Sequence, residues 1–309
     1  MASFSNNVRK EICSSITDSD KKYACLYGII LYCRHLDCSK ISVHTESECF
    51  FELACSLITG IFGDKSCYET EVLTKKNGCS VYYINISDRI FLQKIFETYN
   101  INPDRREINL KNIVNNSLNA FLAGVFFICG SITDPNKEYH LEFTPPAQQL
   151  YFDLDSILQG FGISARRTER KGHAVLYIKD SENIEDILTF IGAKQCTIDL
   201  INIKIYKDMR NKVNRIANCD AANIEKVINA SSRQIKDIIT VQEAGLFDSL
   251  SEELREVAQL RIDYPEYSLQ EIGENLTKPI GRSGVNRRFR KIAEMADEIR
   301  GKTVKDNGK

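Results

Sequence analysis

The chain has 309 residues, 43% of them apolar or aromatic, and its 41 Lys/Arg against 42 Asp/Glu leave a net charge of −1. That is the make-up of a globular protein long enough for two or three domains. No apolar run reaches the length of a membrane span, and the opening "MASFSNNVRKEICSSI" lacks a signal peptide's apolar core, so a soluble cytoplasmic protein is expected.

Elements follow in chain order. Residues 20–33 are helical in pattern, and His35 to Thr45 suggest a short hairpin. A second helix covers about 47–62. Glu71–Lys75 and Cys79–Ile86 alternate apolar and polar around Asn77-Gly78, which predicts a type I′ hairpin. A helix follows from Asp88. The same order then repeats: helix 116–129, a turn at "TDPNKE", strand Tyr139–Thr144, helix 147–160, hairpin 164–179 and helix 182–191. Each half reads αββαββα.

The halves also match residue by residue. "LYGIILYCR" from Leu26 and "LAGVFFICG" from Leu122 share Leu-x-Gly followed by Cys, pairing Gly28 with Gly124 and Cys33 with Cys129 at an offset of 96. "KNGCSVYYINIS" parallels "KGHAVLYIKDS", and "LITGIFG" parallels "ILQGFGI". Two apolar helices cross closely only where a small residue sits at the contact, and Gly28 and Gly124 permit this at a propensity cost of ~1 kcal/mol each.

"FLAGVFFICG" resembles the LAGLIDADG motif of homing endonucleases, whose two motif helices each deliver a metal-binding carboxylate at their C-terminal end. Here both positions of the lost catalytic carboxylates are cysteine, Cys33 and Cys129. Thiolate is a poor ligand for magnesium. Asp37 and Asp134 fall in the turns that follow. No nuclease activity is expected, and no metal or other cofactor. Alternatives for the cysteine pair are a disulfide, or a soft-metal site with His35; filling the space where the helix ends meet is preferred. None of the eleven cysteines forms a C-x-x-C pair, and buried free thiols are expected of those among apolar neighbours, such as Cys25 and Cys55.

Charge is unevenly distributed. Residues 1–200 hold 21 basic and 25 acidic side chains, whereas 201–309 hold 20 and 17, a net of +3. A nucleic-acid footprint is therefore expected in the C-terminal third. Residues 204–218 set Lys204, Lys207, Asn211, Asn214 or Arg215, and Asn218 at helical steps. This suits phosphate contact, with Lys207, Arg210 and Arg215 as candidates; a solvated connecting helix is the alternative.

Residues 250–300 parse into three helices: 251–262, a second opened by the capping box Ser268 to Glu271, and a third expected to be capped by Ser283 after "TKPIG". This is a helix-turn-helix. Val285, Phe289, Ile292 and Ala296 should face the core. Asn286, Arg287, Arg290 and Lys291 should face away, flanked by Arg282 and Arg288. Cations crowd the helix's first half, while Glu294, Asp297 and Glu298 lie in the second. That order opposes the helix macrodipole, and an incoming anion accounts for it.

A degenerate LAGLIDADG duplication joined to a C-terminal helix-turn-helix resembles the WhiA transcriptional regulators of Gram-positive bacteria. "SFSNNVRKEI", "FLAGVFFICGSITDPNKEYHLEF", "RNKVNRIANCDAANIEKVINAS" and "LREVAQLRIDYPEYSLQEIGENLTKPIGRSGVNRRFRKI" carry the resemblance over nearly the whole chain. It implies an α+β fold in which a duplicated αββαββα saddle precedes an all-α domain. The expected divisions are 1–103, 104–197, a helical linker 198–245, and the helix-turn-helix 246–309. It further implies a nucleoid-associated regulator of double-stranded DNA, linked to cell division, chromosome segregation or sporulation. RNA polymerase or another regulator would be its protein partner. The family helix usually carries His where Arg287 stands. A body acting as a protein- or ligand-binding sensor is the competing reading.

Overall fold

A computed structural model describes residues 3–63, 67–75 and 78–306, and the chain divides into two compact units, 1–207 and 208–309. The first opens with a helix the sequence pattern did not single out, α1 (Phe4–Ser15), capped by Ser3. Then come α2 (Ser19–Tyr32), β1 (His35–Leu36), β2 (Ile41–Thr45), α3 (Glu48–Phe62), β3 (Glu69–Thr74), β4 (Ser80–Ile86) and α4 (Arg89–Tyr99). The second half gives α5 (Leu118–Cys129), β5 (Gly130–Ile132), β6 (Leu141–Phe143), α6 (Gln148–Gly160), β7 (Arg166–Arg170), β8 (His173–Ile178) and α7 (Ser181–Phe190). The two four-stranded sheets share one antiparallel topology, β1-β2-β4-β3 and β5-β6-β8-β7. The duplication read from the sequence is thus a duplication of structure.

α2 and α5 form the centre of this unit. Every residue from Ala24 to Tyr32 is buried, and so is every residue from Ala120 to Phe127. Helices apolar all round must be enclosed. They touch backbone to backbone: a Cβ on Gly28 would lie 2.5 Å from the Phe121 carbonyl oxygen, and one on Gly124 would collide with that of Cys25. Phe50 stacks on Phe127 at 4.5 Å, and Tyr27 on Tyr99 at 5.3 Å, extending the core on either side.

The type I′ turn expected at Asn77-Gly78 involves Asn77, which lies outside the described residues. In the first half Lys75 N–H donates to Cys79 O at 2.8 Å, and Gly78 is left-handed at φ 78°. The two-residue turn with both φ positive occurs in the second half, at Lys171 (φ 53°) and Gly172 (φ 78°), between paired Arg170 and His173.

The second unit contains most of α8 (Lys194–Glu243), a single 50-residue helix that begins in the first. Its N-terminus is capped at long range: the Glu11 carboxylate accepts from the N–H groups of Gln195 and, at 2.9 Å, of Cys196. Then follow α9 (Glu252–Asp263), α10 (Leu269–Glu274) and α11 (Arg282–Asp306). Ile238 and Val241 of α8 belong to one core with Val257, Ile272, Val285 and Phe289. The end of the expected linker is therefore part of the helix-turn-helix domain.

Candidate nucleic-acid interface

The domain is fixed by specific polar links as well as by its core. Ser268 caps α10: its hydroxyl accepts from Glu271 N–H at 3.2 Å, and the Glu271 carboxylate accepts from Ser268 N–H at 2.7 Å. Ser283 does not cap α11. The Gly281 carbonyl takes the first helical bond, from Val285 N–H at 3.2 Å, so Ser283 falls inside the first turn. Glycine serves at a helix start because the backbone carbonyl, not a side chain, closes that first bond.

α11 has the two faces its sequence implies. Val285, Phe289, Ile292 and Ala296 are buried. Arg282, Ser283, Asn286, Arg287, Arg290 and Lys291 are exposed. Among the described residues none of Arg282, Arg287, Arg290 or Lys291 is in an ion pair. Arg288 differs: it is 14% exposed and pairs with Glu253 of α9 at 3.1 Å.

Arg261 was not anticipated. It lies four residues on from Val257 and three from Ala258, on the apolar stripe of α9, and is buried. Its Nε donates to Gln234 Oε1 (2.9 Å) and its Nη1 to the carbonyls of Tyr267 (2.5 Å) and Pro265 (3.3 Å), while its guanidinium covers the Phe289 ring. One cation thus ties α8, the α9–α10 connection and α11 together. Its sequence signal was a cation standing where the helical period demands an apolar residue.

On α8, Lys204 pairs with Glu185 at 3.3 Å and Glu182 at 3.6 Å. Lys207 donates to Pro135 O at 2.6 Å and lies over the Tyr139 ring. Both are engaged with the first unit. Arg210 and Arg215, beyond them, are exposed.

Two family models match the chain: one described as the WhiA LAGLIDADG-like domain over residues 118–210, the other as the WhiA C-terminal HTH domain over residues 213–296. A probable cell division protein WhiA of Clostridium perfringens is 35% identical over 96% of this chain and 98% of its own length. The chain belongs to the WhiA family. The namesake from Caldicellulosiruptor saccharolyticus is 48% identical over 59% of this chain and 56% of its own. The full-length DUF199/WhiA structure from T. maritima superposes with a TM-score of 0.56 at 23% identity, over 96% of this chain and 99% of that one, which supports the shared fold.

In this WhiA chain the motif-helix ends are closed by arginines. Arg106 Nη1 donates to Cys33 O (2.6 Å) and Leu31 O (3.2 Å), capping α2, and Arg9 Nη2 donates to Gly130 O (2.8 Å) at the end of α5. Cations there offset the negative ends of the helix dipoles. Cys33 and Cys129 are both free thiols, not bridged to each other. Burial pushes the Cys33 thiol up to about 12 and raises that of Cys129 as well. Asp37 accepts from the Ser39 hydroxyl and from Ser39 and Lys40 N–H, and Asp134 from Asn136 N–H and its side-chain amide; these bonds hold both carboxyls below their usual range and tie them to their own turns. Among the described residues no three His, Cys, Asp or Glu side chains gather as a metal-binding set.

Proposed function

We propose that this chain is a sequence-specific regulator of double-stranded DNA, acting in cell division as the names of its relatives state of them, with a LAGLIDADG-like body that does not cleave. The observation that carries it is the outer face of α11: exposed cations without carboxylate partners, at the helix end where the macrodipole disfavours them. Asn286, Arg287 and Arg290 reach base edges in the major groove. Arg282, Ser283 and Lys291 contact the flanking phosphates, with Arg210 and Arg215 as outer contacts. Arg288, paired to Glu253, positions the helix, and Lys207 anchors the start of α8.

The test is a salt-controlled titration of fragments 1–207 and 208–309 on preferred and random duplexes. Fragment 208–309 is expected to bind and 1–207 to bind weakly or not at all. Arg287→Ala should lose ~1–3 kcal/mol on the preferred site and relax base preference, whereas Lys291→Ala should weaken all duplexes alike. Affinity residing in 1–207, with both variants binding normally, would overturn the assignment.

A second role for the body is favoured by a pocket of about 470 Å³ on the first sheet, lined by His35, Lys40, His44, Glu71, Tyr83 and Asn85 among others. Its mixed charge suits a polar ligand or a protein such as RNA polymerase or another regulator, rather than a polyanion.

A further inference from the structure

A groove of about 460 Å³ lies wholly within the second unit, where the middle of α8 passes the starts of α10 and α11. Its polar lining is Asn223 and Lys226 from α8, Arg261 from α9, Ser268 and Gln270 from the start of α10, and Arg282 from α11. Apolar side chains make up the rest, and among the described residues no acidic one lines it.

Three cations therefore share one concavity without a counter-ion. Arg261 is buried, and every hydrogen-bond partner of its guanidinium is neutral: an amide oxygen and two backbone carbonyls. Glu266 acts on it only from a distance, and burial lowers its pKa below the usual arginine value. Lys226 and Arg282 are exposed and, among the described residues, in no ion pair. Like charges gathered in a partly desolvated groove repel one another, and an anion seated among them removes that penalty. The neutral donors Asn223, Gln270 and Ser268 add hydrogen bonds suited to phosphate oxygens.

Arg282 decides which anion. It opens α11, so the groove runs on directly from the face that carries Asn286 and Arg287. We infer that this groove seats a phosphodiester of the DNA backbone beside the major groove read by α11, with Lys226 and Arg282 as its principal charges. The inference rests on the DNA-binding reading above. It adds α8, far in sequence from the recognition helix, to the DNA-contacting surface.

The test uses the full chain with Lys226→Ala and Lys226→Glu, titrated over a salt series on preferred and random duplexes, with Arg287→Ala alongside. Lys226 is exposed, so neither change disturbs the core. One lost phosphate contact should flatten the slope of log affinity against log salt by ~0.9, or ~8-fold in affinity at 0.1 M salt relative to 1 M. The loss should be equal on both duplexes, leaving base preference intact, and larger for Lys226→Glu. Inorganic phosphate, titrated by calorimetry at constant ionic strength, tests the other source of the same chemistry. Saturable phosphate binding abolished by Lys226→Ala, with DNA titrations unchanged, would assign the groove to a small phosphorylated ligand and overturn the backbone assignment. Wild-type slopes in both Lys226 variants, with Arg287→Ala still impaired, would remove the groove from the interface and leave the regulator reading standing. A wild-type chain that bound neither duplex would sink that reading, and the groove's assignment with it.

Discussion

Replacing Gly124 by alanine probes the crossing on which the first unit is built. The added Cβ would collide with the Cys25 carbonyl oxygen and lie 3.1 Å from Ile29 N. The mirror change, Gly28→Ala, brings a Cβ to 2.5 Å from Phe121 O and 3.1 Å from Val125 N. These neighbours are backbone, so no side chain can turn aside; the helices themselves must part by roughly 0.8 Å in a close-packed interior. Overpacking of this kind costs ~1–3 kcal/mol or more, against a helix-propensity gain from Gly to Ala of ~1 kcal/mol. Because the strain falls on both main chains, each substitution should be net destabilising by ~2 kcal/mol. Gly60, in α3, is the control: a Cβ there meets nothing within 4 Å. Gly60→Ala should stabilise by up to ~1 kcal/mol. The assay is urea denaturation of the full chain followed by tyrosine fluorescence, since the chain has no tryptophan and Tyr27, Tyr32 and Tyr99 are buried near the crossing. If Gly124→Ala and Gly60→Ala shifted the midpoint upward alike, α2 and α5 would not touch at these glycines, and the reasoning would fail.

Two further outcomes are expected of the body. Purified protein with Mg²⁺ or Mn²⁺ should leave supercoiled plasmid intact, because cysteines stand where the carboxylates would be and Asp37 and Asp134 are tied into turns; metal-dependent nicking that Cys129→Ala abolishes would contradict this. Native protein treated with iodoacetamide at pH 8 should be alkylated at the exposed Cys38 and Cys219 and not at Cys33. The thiolate is the reactive form, and with its pKa pushed up to about 12 the Cys33 thiol holds a thiolate fraction of only ~10⁻⁴. Peptide mass spectrometry showing Cys33 modified as fast as Cys38 would refute its enclosure.

Within the domain that carries the candidate interface, some features were legible and others not. The capping box and the two faces of α11 were readable because both depend on spacings of three and four residues along one helix. Ser283 misled because its residue type favours a cap, while the main chain starts the helix two residues earlier, with Gly281 supplying the carbonyl. The partners of Arg288 and Lys207 were invisible, since Glu253, Pro135 and Tyr139 are 35 or more residues away in sequence. These contacts separate an exposed cation from an engaged one, a distinction composition does not carry.

What the sequence determined by itself was the repeating order of elements, the close crossing at Gly28 and Gly124, and the helix-turn-helix with its basic outer face. Each follows from local rules: hydrophobic period, side-chain size at a contact, and capping chemistry within a few residues. Only the tertiary structure decided the rest. It brought Glu11 to the start of α8, Arg106 and Arg9 to the ends of the motif helices, and Lys226, Arg261 and Arg282 to one groove. Such pairings join residues tens to nearly two hundred positions apart. They form because buried backbone groups and charges must find partners wherever packing brings them, and no periodicity in the chain records that choice.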